Sequence, residues 1–310
     1  MLLLIAIALV FAIFAITKIY LKLTTGWCKS QTCLVGRTAL ITGANSGIGY
    51  ETALDFAKRG AGVILACRNA AKAEEARSKI ISETGNDNII VKIVDMASFD
   101  SIRALAKEIN ETESRLDILV NNAGMFGHWG ETTKDGLPVL IQTNHFSGFL
   151  LTNLLMDLLK KTPSRVVNVS SMAARQARDF TLDKIFKHNA KMGRDYAYSK
   201  LCNIFFTQEL AKKLEGSGVT AYSLHPGVVK TNFFENNTYL KIFATVLLNF
   251  FAKSPEEGAQ TTIYCSVARG IEGHNGGHFS DCKRVEAYKT ARDLGLARKL
   301  WEKSEEIVHL

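Results

Sequence analysis

Apolar and polar positions divide the chain into distinct regimes. Residues 2–16 are apolar without interruption. With the stem of Lys18 snorkelling, the run extends to Leu21 or Leu23, close to the ~20 residues that cross a bilayer as a helix. Beyond residue 36, short apolar runs alternate with amphipathic stretches. Runs at 38–42, 62–67, 89–94, 116–120 and 165–169 predict buried strands. Helices are predicted through Leu54 and Phe56, over 71–82, from Ser98, and as one long apolar helix through Asn144, Phe149, Leu154 and Leu158. The spacing of Leu201, Ile204, Phe205, Leu210 and Leu214 predicts another helix, opened by Tyr196. Ser254-Pro255-Glu256-Glu257 starts a further helix with a capping residue, Pro at the first position and early acids, and Gly277-His278-Phe279 suggests a last strand. Strands alternating with helices predict an α/β fold with a doubly wound parallel sheet.

The domain organisation follows from this pattern: a membrane anchor at 1–23, a basic linker at 24–36, and a single domain at 37–310 that includes a strongly apolar and aromatic lid at about 228–253. A cleaved signal peptide would carry its positive charge before the apolar run. Here Lys18, Lys22 and Lys29 follow it, so the reading is a transmembrane helix over residues 2–21 with the folded domain facing the cytosol. Tyr20 and Trp27 suit the membrane interface. The net charge of +8 is concentrated at this end, and no basic stripe with interleaved aromatics argues for nucleic acid. The six cysteines form no CxxC or His-Cys cluster, which predicts neither a metal site nor a disulfide framework. Sequons at Asn110, Asn168 and Asn236 would matter only for a luminal domain, and Asn168 falls in a predicted core strand.

Chemistry is concentrated at the ends of the predicted strands. The run at 38–42 passes at once into Gly43-Ala44-Asn45-Ser46-Gly47-Ile48-Gly49 and then a helix, the order in which glycines and a helix N-terminus hold a pyrophosphate. The sheet is therefore of Rossmann type. After the next strand, where a carboxylate would bind a ribose 2′-hydroxyl, stands Arg68. An arginine there can pair with a 2′-phosphate, which favours NADP(H) over NAD(H). Asp95 and Asn122-Ala123-Gly124 also end strands, on the ligand side of such a sheet.

Tyr196 and Lys200 lie one turn apart on one helical face. A free phenol titrates near ~10, and a fixed cation beside it lowers that value, which would make Tyr196 an acid/base. Ser170 and Ser171 follow the strand at 165–169.

In this order, Gly43-x-x-x-Gly47-x-Gly49, Asn121-Asn122-Ala123-Gly124, Ser171, Tyr196-x-x-x-Lys200 and Pro226-Gly227 resemble the motif set of the short-chain dehydrogenase/reductase superfamily, over about residues 36–282. The wording of Ala66-Cys67-Arg68, Val166 to Ser171, Phe206 to Leu210, Ser217 to Thr220, His225-Pro226-Gly227 and His278 to Cys282 is similar to the membrane-anchored retinol dehydrogenases. The resemblance implies that Tyr196 exchanges the proton at a carbonyl oxygen. Lys200 would lower its pKa and bind the nicotinamide ribose, and Ser171 would polarise the substrate carbonyl. Asn144 would hold a water linking Lys200 to solvent, and the Pro226-Gly227 turn with Thr231 would position the nicotinamide. Ser170, His145 and His225 are expected to be structural.

The implied activity is NADPH-dependent reduction of a lipophilic aldehyde or ketone, with all-trans-retinal as leading candidate and reduction of steroid or fatty aldehyde carbonyls, or a catalytically silent NADP-binding scaffold, as alternatives. The endoplasmic reticulum membrane is the expected location, and a homodimer is left open. Tyr198 and Ala174-Arg175 stand where retinol dehydrogenases often carry His and Ala-His, and both positions are candidates for the pocket wall.

Overall fold

The computed structural model describes residues 2–128, 130–187, 193–230 and 251–310, without the side chains of residues 2–8, 10 and 11. Thr231 and most of the expected lid therefore lie outside the described residues. Strands β1 (Thr38–Thr42), β2 (Gly62–Cys67), β3 (Ile89–Ile93), β4 (Ile118–Asn121), β5 (Ser164–Val169), β6 (Val219–Leu224), β7 (His278–Ser280) and β8 (Lys283–Val285) form one sheet in the order β3-β2-β1-β4-β5-β6-β7-β8. All neighbours are parallel except β7 and β8, which form an antiparallel hairpin.

Helices cover both faces. On one side, α2 (Gly47–Lys58) and α3 (Ala70–Thr84) pack with α7 (Pro255–Val267), against a core that includes Ile41, Val63, Val120, Val167 and Tyr222. On the other lie α4 (Phe99–Thr112), α5 (Ser147–Leu154), α6 (Arg194–Lys213) and α8 (Leu294–Val308), over Leu40, Ile64, Leu119, Val166 and Ala221. Successive strand residues face opposite layers, which is why strands buried on both sides read as unbroken apolar runs. Strand order reverses between β1 and β4, so the crevice at their carboxyl ends is where such a sheet takes its ligand.

Four elements depart from the sequence expectation. The long apolar helix through Asn144 is interrupted: a π-helical turn at Gln142–Phe146 precedes α5, and Leu155 separates α5 from a short helix at Met156–Leu159. Ser147 explains the first break, because both its N–H and its hydroxyl take the Gln142 carbonyl, the hydroxyl at 2.7 Å, five residues back. The strand β6, the hairpin strand β8 and the helix α8 are additions to the predicted order.

A 23-residue helix, α1 (Leu2–Thr24), precedes the domain. Among the described residues no helix is long and apolar enough to cross a membrane. Residues 25–34 lie on the domain as a strap. Gly26 N–H donates to Asp281 and Cys28 N–H to Gln260 Oε1. Ser30 and Thr32 hydroxyls share the Val267 carbonyl, and Leu34 N–H donates to the Arg59 carbonyl. Lys22 pairs with Glu257, which closes the capping box of α7 with Ser254.

Candidate active site

The glycine loop follows β1 as the sequence predicts. Gly43 has φ +68°, a conformation that favours glycine, and its N–H donates to the Ala66 carbonyl at 2.8 Å. A Cβ on Gly49 would lie 2.4 Å from the Gly43 carbonyl oxygen and 2.6 Å from Asn122 Nδ2, so the loop closes on itself only because this position is bare. Asn122 braces it: Nδ2 donates to the Thr42 carbonyl at 2.9 Å, while the N–H groups of Asn122 and Ala123 both donate to Thr42 Oγ1. Ser46, the N-cap of α2, makes no side-chain capping bond, so the first-turn N–H groups of α2 are left open to an anion at the glycine loop. This cradle fits a dinucleotide pyrophosphate. Asn45, Ser46, Gly47 and Ile48 form its rim.

At the end of β2, Arg68 is exposed and has no ionic or hydrogen-bonded partner among the described residues. Asn69 beside it is committed to capping α3 through the Lys72 N–H. Asp95 is half-buried and accepts from the Ala97 N–H at 2.9 Å, fixing its own turn and leaving one carboxylate oxygen for another donor.

On the other flank of the switch point, α6 carries Tyr196 and Lys200 on one face, with Nζ 5.8 Å from the centre of the phenol ring. Lys200 is 3 % exposed and donates to the Val169 carbonyl at 3.1 Å. Ser171 follows β5 and caps a 3₁₀ turn at Met172–Gln176, and its side chain is hydrogen-bonded to that of Tyr196. Ser170 points away, its hydroxyl held by the Lys200 carbonyl at 2.6 Å.

Asn144, inside the π-helical turn, accepts from Met125 N–H at 2.8 Å and donates to the Met125 carbonyl and to Ser199 Oγ. Ser199 passes this on to the Tyr196 carbonyl at 2.8 Å. A Cβ on Gly124 would stand 3.0 Å from Lys200 Nζ and 3.3 Å from Asn144 Oδ1, so Gly124 is where the two meet. Sequence reasoning missed Ser199 and Phe126, whose ring meets Tyr196 edge-on at 5.2 Å. Ser199 carried no distinct signal, since Asp195, Tyr196, Cys202 and Asn203 share its helical face. Phe126 had none, because its position depends on the loop after β4.

The electrostatics correct one expectation. Burial holds the Tyr196 phenol above its ordinary pKa, with the Ser171 hydrogen bond working against the rise, and Lys200 does not bring it down. The reason is geometric: Nζ is turned to the Val169 carbonyl. Burial pushes Lys200 itself down to about 8.

Gly227 turns with φ +88° under the Lys253 side chain, and its N–H donates to His225 Nδ1 at 3.2 Å, which uses that nitrogen as an acceptor. His145 is buried beside Phe146, Phe149 and Phe206, with Nε2 3.2 Å from Ser304 Oγ. Tyr198 is 1 % exposed, packs on Phe180 and donates to Asp179, so it belongs to the core and not to a pocket wall. Arg175 is exposed.

Residues 37–239 match the family model described as short chain dehydrogenase. Retinol dehydrogenase 11 of Mus musculus is 42 % identical over 315 aligned residues, covering 99 % of this chain and 98 % of the relative. Retinol dehydrogenase 12 of Homo sapiens is 42 % identical over 284, covering 91 % and 90 %. A crystal structure of a protein from Mycobacterium paratuberculosis is similar with a TM-score of 0.74 at 31 % identity, covering 92 % of this chain and 98 % of that one.

Proposed function

The chain belongs to the short-chain dehydrogenase family and is an oxidoreductase, and from that premise we propose that it reduces a lipophilic carbonyl, all-trans-retinal foremost, with NADPH. The observation that carries the proposal is the convergence of Ser171, Tyr196 and Lys200 at the carboxyl ends of β5 and α6's first turns, across the switch point from the glycine cradle. When bound, the reduced nicotinamide supplies hydride. Gly43, Gly47 and Gly49 with the α2 N-terminus would hold its pyrophosphate, Asp95 and Asn122 to Gly124 would line the adenosine and ribose side, and Pro226-Gly227 with Thr231 the nicotinamide side. Arg68, unpartnered among the described residues, is the group that would take a 2′-phosphate.

The side chains then divide the work. Ser171 donates to the substrate oxygen and steadies the negative charge that grows there. Tyr196 gives up its proton to the same oxygen. A phenol held above its ordinary pKa is fully protonated near neutrality, which suits a proton donor in reduction better than a base in oxidation. Lys200, charged for the most part below pH 8, offers a cation and a donor to the ribose hydroxyls. Asn144 shapes this corner through Met125 and Ser199, and in the proposal it also holds the water that connects Lys200 to solvent.

We further propose that α1 anchors the enzyme in a membrane, the endoplasmic reticulum foremost, with the domain on the cytosolic side. Support comes from the unbroken apolar run at 2–16 and from the exposure of Leu9, Ile13, Ile16, Ile19 and Leu23, each more than half exposed. Retinoids partition into bilayers, so anchoring would bring enzyme and substrate together. Oxidation of NADPH and of NADH is measured with detergent-solubilised enzyme and all-trans-retinal, beside Tyr196→Phe and Arg68→Asp. Turnover lost with Tyr196→Phe and preference moved from NADPH toward NADH with Arg68→Asp are expected. Turnover indifferent to Tyr196 overturns the catalytic assignment, and turnover only of steroid or fatty aldehydes overturns the substrate.

A further inference from the structure

The two ends of the segment at 228–253 are joined to each other. Val229 pairs with Lys253 as a parallel bridge, Lys253 N–H donates to the Val228 carbonyl at 2.8 Å, and Lys230 N–H donates to the Lys253 carbonyl at 2.9 Å. This neck stands against the cofactor cradle. A Cβ on Gly258 of α7 would meet Val229 Cγ2 at 2.6 Å and Ile48 Cγ1 at 3.3 Å, so one bare position separates the neck from the glycine loop. The Lys253 stem also covers Gly227, where a Cβ would meet Cδ and Cε at 3.0 Å.

Lys253 is itself held. Its Nζ pairs with Asp281 Oδ1 at 2.5 Å, the lysine side chain being 15 % exposed. Asp281 and Cys282 form the two-residue turn between β7 and β8, with φ +49° and +56°, the left-handed pair of a type I′ hairpin, which fixes where the carboxylate points. The same Oδ1 accepts from Gly26 N–H at 3.2 Å. The strap passes so close that a Cβ on Gly26 would lie 2.0 Å from the Asp281 carbonyl oxygen.

We infer that Lys253 and Asp281 are positioning residues whose ion pair, steadied by Gly26, holds the neck against the glycine loop, so that the strap following α1 sets how tightly the nicotinamide cofactor binds. The inference rests on cofactor binding by the family and not on the identity of the carbonyl substrate. Neither residue needs to touch the cofactor. Each removes freedom from the backbone at 226–230, and that freedom is otherwise lost on binding.

The test is reduced-cofactor affinity by fluorescence titration together with steady-state kinetics on the full chain in detergent. Lys253→Met and Asp281→Asn should each raise Kd and KM for the cofactor about five- to tenfold while kcat at saturation stays within about twofold, and the double variant should match either single one. Lys253→Arg should restore wild-type affinity. Gly26→Ala, whose added carbon would meet the Asp281 backbone, should weaken binding in the same direction. An unchanged Kd in Asp281→Asn or Gly26→Ala, or additive losses in the double variant, overturns the inference. Should a variant fail to fold, hydrogen exchange on the wild type decides: the Gly26, Lys230 and Lys253 amides must slow together when cofactor is added, and a Gly26 amide indifferent to cofactor overturns the coupling. Loss of retinal turnover with this linkage intact would count only against the substrate.

Discussion

Replacing Lys200 by Met should make the cofactor-free protein more stable while removing its activity. Burial lowers the Lys200 pKa from 10.5 to about 8, which at ~1.4 kcal/mol per unit corresponds to about 3 kcal/mol spent on keeping an ammonium inside the fold. Met matches the length of the stem and carries no charge to desolvate. The substitution loses the hydrogen bond to the Val169 carbonyl, worth about 1 kcal/mol, yet that oxygen keeps a donor because Asn203 Nδ2 also reaches it at 3.2 Å. The net gain is about 2 kcal/mol at pH 7. With unfolding entropy near ~2.1 cal/mol/K per residue over the whole chain, that is a rise of about 3 °C in Tm.

The pH dependence supplies the sign. Between pH 8 and 10.5 the unfolded chain holds a proton that folded wild type rejects, so wild-type stability rises with pH across this window, and the advantage of Met falls through zero toward a small deficit from the lost hydrogen bond over the same range. Thermal unfolding of both proteins from pH 7 to 10.5 reads this directly. A lower Tm for Lys200→Met at pH 7, or a gain that persists unchanged to pH 10.5, would refute the burial argument.

Gly49→Ala should abolish cofactor binding and destabilise the fold by about 1–3 kcal/mol, since neither the Gly43 carbonyl nor Asn122, itself tied to Thr42, can retreat from the added carbon; titration with NADPH and a melting curve check both. Burial pushes His145 down to about 3, opposed by Asn203, so the unfolded chain takes up a proton below pH 6.5 that the fold refuses. Wild type should therefore lose about 2 kcal/mol from this group between pH 7 and 5, and His145→Leu should flatten the acid limb by that amount in denaturant titrations; parallel limbs would count against it. Asn144→Ala strands the Met125 N–H and removes the Ser199 hydroxyl's donor, and should cost about 2 kcal/mol or more in stability along with most of kcat, measured by unfolding and turnover.

Much of the site could be read along the chain because its parts are local. The glycine loop, the Tyr196–Lys200 spacing and the Ser170–Ser171 pair each occupy a few consecutive residues whose geometry follows from one element or one turn. The split of the two serines also follows: Ser170 bonds back to α6 while Ser171 faces Tyr196. What escaped depends on contacts between distant segments. The π-helical turn arises from Ser147 reaching Gln142, which no apolar periodicity records. The phenol's raised pKa depends on where Lys200 Nζ points, and that is settled by the end of β5. Tyr198 was misplaced because its partner, Asp179, lies in a loop with no periodic signal. The short strand β8 falls below the length at which alternation can be recognised.

The contact between Gly26 and Asp281 joins positions 255 residues apart. At ~5–20 residues per second of synthesis, the strap emerges from the ribosome roughly 10 to 50 seconds before its docking turn exists. Throughout that interval the nascent chain has its N-terminal helix and its glycine loop but not the hairpin that carries Asp281. The strap can therefore dock only in stages, Leu34 on Arg59 early and Gly26 on Asp281 among the last contacts to form, and any chain cut short before Asp281 would leave its Gly26 end unheld.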